Sequence, residues 1–126
     1  MEEQRILAVG YRLDRLMPRA ARLRKAGYVV DMASAEAQAE FLVRQNRYAA
    51  AVLGAAIPEE VRNRLALSLI NLNPQCAIIM LYEVSIRNAE LADAVLNYET
   101  AEQNLPETIR HLLSQRMHEK SKKAAQ

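Results

Sequence analysis

Cys76-Ala77-Ile78-Ile79-Met80-Leu81 offers no polar side to water. A strand with one wet face alternates apolar and polar residues, so a run that is apolar on both alternating faces belongs to a strand covered by helices on both sides. Immediately upstream, Pro58 opens a segment in which Val61, Leu65, Leu69 and Leu72 recur at helical spacing. Asn73-Pro74 closes it, because a residue before proline avoids the helical region. A helix leading into a doubly covered strand is the repeating unit of a parallel sheet.

Working outward, the same unit recurs. Arg5-Ile6-Leu7-Ala8-Val9-Gly10 is too short for a helix and is bounded like a buried strand. Asp14 is placed to cap a first helix running to about Ala26, with Pro18 in or just past its first turn and Gly27 as a left-handed stop. Tyr28-Val29-Val30-Asp31-Met32-Ala33 reads as a second strand, and Ser34 as the N-cap of an Ala-rich helix that reaches Asn46. Tyr48 to Leu53, ending at Gly54, is the third strand. Beyond the fourth, a weak helical stretch from about Ile86 to Ala92 precedes a fifth strand at Ala94-Val95-Leu96. Asn104-Leu105-Pro106-Glu107 starts the last helix, which carries Leu105, Ile109, Leu112 and Leu113.

Five strands alternating with five helices predict an α/β fold, a doubly wound five-stranded parallel sheet in the flavodoxin-like order 2-1-3-4-5. From Glu119 onward the chain is polar and lysine-bearing. Residues 1–118 are therefore expected to form the domain and residues 119–126 a basic flexible tail.

The chain has 126 residues, the size of one compact domain, and it is 51% hydrophobic with only 3 Gly and 4 Pro, which excludes a disordered or collagen-like polymer. The single Cys76 excludes a disulfide framework and a cysteine metal cluster. No apolar run approaches a membrane span, and Met1-Glu2-Glu3-Gln4 is acidic where a signal peptide is basic, so a cytoplasmic protein without membrane contact is expected. Serine, histidine and aspartate occur without a nucleophile elbow, and the glycines form no phosphate loop.

With the elements in register, residues 4 to 117 resemble a response-regulator receiver domain. Ile6-Leu7-Ala8-Val9 is similar to the first receiver strand, Ala26-Gly27-Tyr28 to the turn into the second, and Ala51-Val52-Leu53 to the third. Pro58 follows Gly54 by four residues, as a proline follows the receiver phosphoacceptor. Leu72-Asn73-Pro74 with Ile78-Ile79-Met80-Leu81 resembles the exit of helix 3 and the fourth strand, and Ala92-Asp93-Ala94-Val95-Leu96 the approach to the fifth.

The resemblance implies what the site ought to hold. Receivers place an acidic pair after strand 1 for Mg²⁺, an aspartate nucleophile after strand 3, a Ser or Thr after strand 4 and a Lys after strand 5. The corresponding positions here are Gly10 and Tyr11, Gly54, Tyr82, and Asn97 or Tyr98. None of these side chains offers a carboxylate. The resemblance therefore implies a degenerate pseudo-receiver without phosphoacceptor or acidic pocket, with no catalytic residue, no metal and no cofactor. It also implies a shortened helix 4, because the segment between Tyr82 and Tyr98 is short for a receiver.

Charge is unevenly spread. Residues 12–25 carry a net +5 and residues 110–126 a net +4, leaving −7 for the remainder. On a wheel of about 100° per residue Arg12, Arg15, Arg19 and Arg22 share a narrow sector, with Leu13, Leu16, Met17, Ala20 and Leu23 on the side expected to face the sheet. Like charges at i,i+4 weaken a helix, so this stripe is not there for stability alone. If the first and last helices are neighbours, Arg12, Arg15, Arg19, Arg22, Lys25, Arg110 and Arg116 form one basic face, suited to an acidic protein surface.

Tyr11, Tyr82 and Tyr98 fall at the carboxyl ends of strands, where they either fill the volume of the lost chemistry or line a small-ligand crevice. Met17, Met32, Met80 and Met117 read as core filling, and His111 and His118 as surface residues too far apart to share a metal. The function expected is a non-enzymatic, phosphorylation-independent interaction module in signal transduction of the two-component type. A ligand-sensing domain, weak nucleic-acid binding through the basic face, and homodimerisation stay open.

Overall fold

A computed structural model of the chain describes residues 4–124, with side chains through Arg116. Five strands, β1 (Arg5–Val9), β2 (Val29–Ala33), β3 (Ala50–Leu53), β4 (Ala77–Tyr82) and β5 (Ala94–Asn97), form one sheet in the order β2-β1-β3-β4-β5. Every neighbouring pair is parallel, with Leu7 opposite both Asp31 and Ala51 and Met80 opposite both Leu53 and Val95. The helices are α1 (Leu13–Lys25), α2 (Glu36–Gln45), α3 (Glu59–Leu72) and α4 (Tyr98–Ala124). The sheet order is the one the sequence predicts.

The pleat sends alternate residues to two cores. Ile6, Ala8, Val52, Ile79 and Leu81 pack with Leu16, Ala20 and Leu23 of α1 and with Ala101, Leu105 and Ile109 of α4. Leu7, Val9, Leu53, Ile78 and Met80 point the other way, to Ala39 and Val43 of α2 and Leu65 and Leu69 of α3. Each fully buried leucine or isoleucine contributes about 1.5–3 kcal/mol, so the first layer is what fixes α1 and α4 side by side. Gly27 ends α1 at φ +104, where its N–H and that of Tyr28 close the last carbonyls of the helix on Arg24 and Leu23.

Several local expectations give way. Asp14 lies inside the first turn of α1, where it pairs with Arg12; the N-cap position is Arg12, with no side-chain cap bond. Pro18 stands in the helix interior, on an exposed side. Ala35, not Ser34, is the N-cap of α2, and the Ser34 amide instead donates to the Gln38 side chain at 2.9 Å. Leu13 and Met17, expected against the sheet, are 56% and 58% exposed, because the buried stripe of α1 runs through Leu16, Arg19, Ala20 and Leu23.

The short helix expected between β4 and β5 is absent: residues 83–93 are irregular. Their apolar side chains Ile86, Ala89, Leu91 and Ala92 still pack on the second core. Arg62 donates to the Arg87 carbonyl at 2.7 Å, Asn88 turns through φ +54, and the Asp93 carboxylate accepts the Ile78 amide at 2.7 Å. Val84, Ser85, Ile86 and Asn88 are weak helix formers, and these tertiary bonds satisfy the segment without a helix. The last helix begins at Tyr98, two turns before Leu105-Pro106, because Asn97 caps it: its side-chain oxygen accepts the Glu99 amide at 2.9 Å. Its backbone stays helical to Ala124, so residues 119–124 continue the helix that the tail was expected to leave. Met117 and His118 have side chains outside the described residues.

Candidate functional site

The carboxyl ends of the strands bring together the positions at which receivers hold their chemistry. Gly10 follows β1 and donates to the Ala33 carbonyl at 3.0 Å; Gly54 follows β3 and donates to the Val9 carbonyl at 2.8 Å. Both glycines are buried side by side: a Cβ added to Gly54 would stand 3.3 Å from the Gly10 Cα. Tyr82 ends β4, Asn97 ends β5, and Tyr98 opens α4.

The group between the glycines comes from elsewhere. Arg19, on the sheet-facing stripe of α1, is 5% exposed, and its Nη1 lies 3.5 Å from the Cβ position of Gly54 and 3.7 Å from that of Gly10. Burial pulls its pKa below the ordinary arginine value; Glu102 opposes this and the like charge of Arg15 adds to it. An arginine stays protonated through such a change. The site thus carries a resident cation and no carboxylate at Gly10, Tyr11 or Gly54. The residues do not fit the Mg²⁺ that a receiver holds there, and the described residues contain no cluster of three His, Cys, Asp or Glu suited to a metal.

The tyrosines do not converge. Tyr98 belongs to the α1/α4 side, where the Arg15 guanidinium lies 3.9 Å from its ring centroid and also bridges to Glu83. Tyr11 is 37% exposed and within electrostatic reach of Arg64 on α3, the opposite side of the sheet. Tyr82 is half-buried at the end of β4. Arg19 and the Arg15–Tyr98 stack, not a tyrosine cluster, occupy this edge. The signal for Arg19 lay in the sequence: it is three residues after Leu16 and four before Leu23, both buried.

The remaining basic residues divide in two. Arg116 pairs with Asp93 at 2.8 Å, half-buried, and through it ties α4 to the start of β4. Arg12 pairs with Asp14 at 2.8 Å, Arg22 with Glu102 at 3.4 Å and Arg110 with Glu107 at 2.5 Å, all in the open, while Lys25 is exposed without an ion pair among the described residues. Of the seven expected contact residues, Arg15, Arg19 and Arg116 are therefore held in the fold, and Arg12, Arg22, Lys25 and Arg110 face solvent. No described helix is long and apolar enough to cross a membrane.

This combination of order, crossovers and strand-end geometry is the receiver fold. A response regulator receiver domain protein (CheY-like) from Methanospirillum hungatei superposes with a TM-score of 0.82 at 22% identity, covering 94% of this chain and 99% of that one. A protein described as an adenylate cyclase from Rhodopirellula baltica gives 0.78 at 14% identity, covering 98% and 97%. A response regulator from Burkholderia pseudomallei, solved with a phosphorylated aspartic acid and a calcium ion, gives 0.74 at 17% identity, covering 96% and 75%. No protein-family model and no curated protein matches the sequence.

Proposed function

We propose that this chain is a receiver-like interaction module of signal transduction, non-enzymatic and independent of phosphorylation, which docks an acidic protein surface through the α1/α4 face. One observation supports this above the others: where a receiver keeps its nucleophile and metal, this chain has Gly54 and Gly10 with the Arg19 guanidinium between them. A site filled by a fixed cation has no switch to throw, so recognition falls to the surface. α1 and α4 share one face of the sheet, and Arg12, Arg22, Lys25 and Arg110 stand on it in solvent. The exposed carboxylate partners of Arg12, Arg22 and Arg110 are held by screened, readily exchanged pairs, and a partner's carboxylates can replace them.

The test is capture of partners by the wild type and by an Arg22→Glu/Arg110→Glu double variant, which leaves Arg15 and Arg19 in place. Loss of an interaction that also weakens with salt supports docking through this face. Partners retained undiminished by the double variant contradict it. Binding of random-sequence DNA in place of protein contradicts the choice of partner.

A further inference from the structure

The one phenylalanine of the chain, Phe41, is 61% exposed on α2, about half a turn of the helical wheel from the buried pair Ala39 and Val43. On α3, Leu67 is 49% exposed and Ile70 also reaches solvent, and none of the three belongs to either core. The two helices are locked in register: Glu36 accepts from Arg64 at 2.7 Å and Glu40 from Ser68 at 2.9 Å, each across 28 residues. Phe41 is therefore level with Leu69, between Leu67 and Ile70. Exposed apolar residues scattered singly are ordinary, but three large ones at one level of one face mark an interaction surface.

Charge on this face is polarised along the helices. α2 and α3 each cross between parallel strands, so both run away from the carboxyl edge of the sheet and their amino-terminal ends lie together. Those ends carry Glu36, Glu59 and Glu60, of which Arg64 neutralises Glu36. The opposite end carries Arg44 and, just past α2, Arg47, both exposed and without an ion pair among the described residues. Helix dipoles favour acid at one end and base at the other. This polarity also makes the face complementary to itself when it is turned end for end, with the apolar level in the middle.

We propose that the outer face of α2 and α3 binds a second copy of this chain, as a two-fold dimer in which these helices lie antiparallel to those of the other protomer. Phe41 and Leu67 then pack near the axis, and Arg44 and Arg47 of each protomer face the glutamates of the other. Two-fold symmetry makes each of these contacts twice, and an apolar centre with a charged rim is the common anatomy of an interface. An acidic partner or an anionic lipid surface would be repelled by Glu59 and Glu60, and a basic one by Arg44 and Arg47. A second copy satisfies both ends. The face lies across the sheet from α1 and α4, so the dimer leaves the docking surface free, and the failure of either reading leaves the other untouched.

Analytical sedimentation of the full chain over a concentration series at low salt tests the dimer. A reversible monomer–dimer equilibrium is the expected result. Phe41→Ser/Leu67→Ser should be monomeric where the wild type is half dimeric, whereas Arg22→Glu/Arg110→Glu, on the other side of the sheet, should match the wild type. Arg44→Glu/Arg47→Glu and Glu59→Lys/Glu60→Lys should each lose self-association and bind one another on mixing. Hydrogen exchange of the wild type locates the face without any substitution: slowing confined to α2 and α3 at dimer-forming concentrations is expected. A chain monomeric throughout, a dimer undiminished in Phe41→Ser/Leu67→Ser, one lost in Arg22→Glu/Arg110→Glu, charge variants that ignore one another, or slowed exchange on α1 and α4 instead overturns the proposal. The wild-type exchange map decides even if a variant does not fold.

Discussion

The Arg19 guanidinium stands 3.5 Å from the place a Cβ on Gly54 would take, so a cation from α1 lies against the strand end at which a receiver presents its nucleophile. The two positions are coupled: a side chain at 54 would meet Arg19, and Arg19 owes its room to the glycines at 10 and 54. The glycine at 54 and the buried arginine at 19 are two halves of one arrangement.

Introducing a carboxylate at position 54 should therefore create an ion pair and not a phosphoacceptor. In Gly54→Asp the new carboxyl group would meet Arg19, which lowers its folded-state pKa below the unfolded value. The sign follows: the added stability is present above the unfolded carboxyl pKa and is lost as the pH falls through the folded one. The Tm of the variant relative to wild type should rise between about pH 3 and pH 6. Crowding against the Val9 carbonyl at 3.1 Å sets a constant offset against this gain. A Tm difference that does not vary with pH would contradict the pairing.

Removing the charge should stabilise the fold. Arg19→Met keeps most of the apolar contact of the stem and removes a buried, unpaired cation, with an expected gain of about 1 kcal/mol or more. Urea unfolding measures it as a higher midpoint at unchanged slope. A loss of stability would show that the guanidinium has a protein partner.

Arg15 should couple to Tyr98 more than an open surface pair does, since its guanidinium stacks 3.9 Å from the ring centroid while also bonding to Glu83. A double-mutant cycle of Arg15→Met and Tyr98→Leu is expected to give about 0.5–1 kcal/mol. Additive effects would mean that the stack contributes nothing.

At the far end of the sheet, Tyr48 donates its hydroxyl to Asp31 at 2.8 Å, and Arg5 bridges to the same carboxylate at 2.9 Å. Burial first, then the bond to Asp31, pushes the Tyr48 pKa well above the ordinary tyrosine value. A folded pKa raised above the unfolded one gives stability that is complete below about pH 10 and is lost as the pH climbs towards the folded value. Urea midpoints should fall steeply above about pH 10 in the wild type and less so in Tyr48→Phe, which is also expected to be about 1 kcal/mol less stable near neutrality. Identical alkaline profiles would contradict this.

Much of the scaffold was legible because punctuation and periodicity agreed. Gly27 at φ +104, Asn73-Pro74 and the doubly apolar β4 mark element ends and a central strand with little ambiguity. The site was half legible: the glycines at 10 and 54 are visible in the chain, but the guanidinium that lies beside them is thirty-odd residues from Gly54 and enters through tertiary packing. Grouping Arg19 with Arg12 and Arg15 as one charged sector overlooked its spacing from Leu16 and Leu23. Pro106 misdirected the start of α4, since a proline suits a first turn, whereas here Asn97 had already opened the helix. The stretch from about Ile86 to Ala92, expected as a weak helix, is irregular, and long-range bonds that involve Arg62 and Asp93 hold it so.

Incubation of the intact chain with acetyl phosphate and Mg²⁺, followed by intact-mass measurement, tests the absence of phosphorylation most directly. The expected product is the unmodified chain, for wild type and for Gly54→Asp alike, because Gly10 and Tyr11 offer no carboxylate for Mg²⁺ and the Arg19 guanidinium stands beside position 54. A phosphoryl adduct on the wild-type chain, stable enough to map to the edge formed by Gly10, Gly54 and Tyr82, would contradict it.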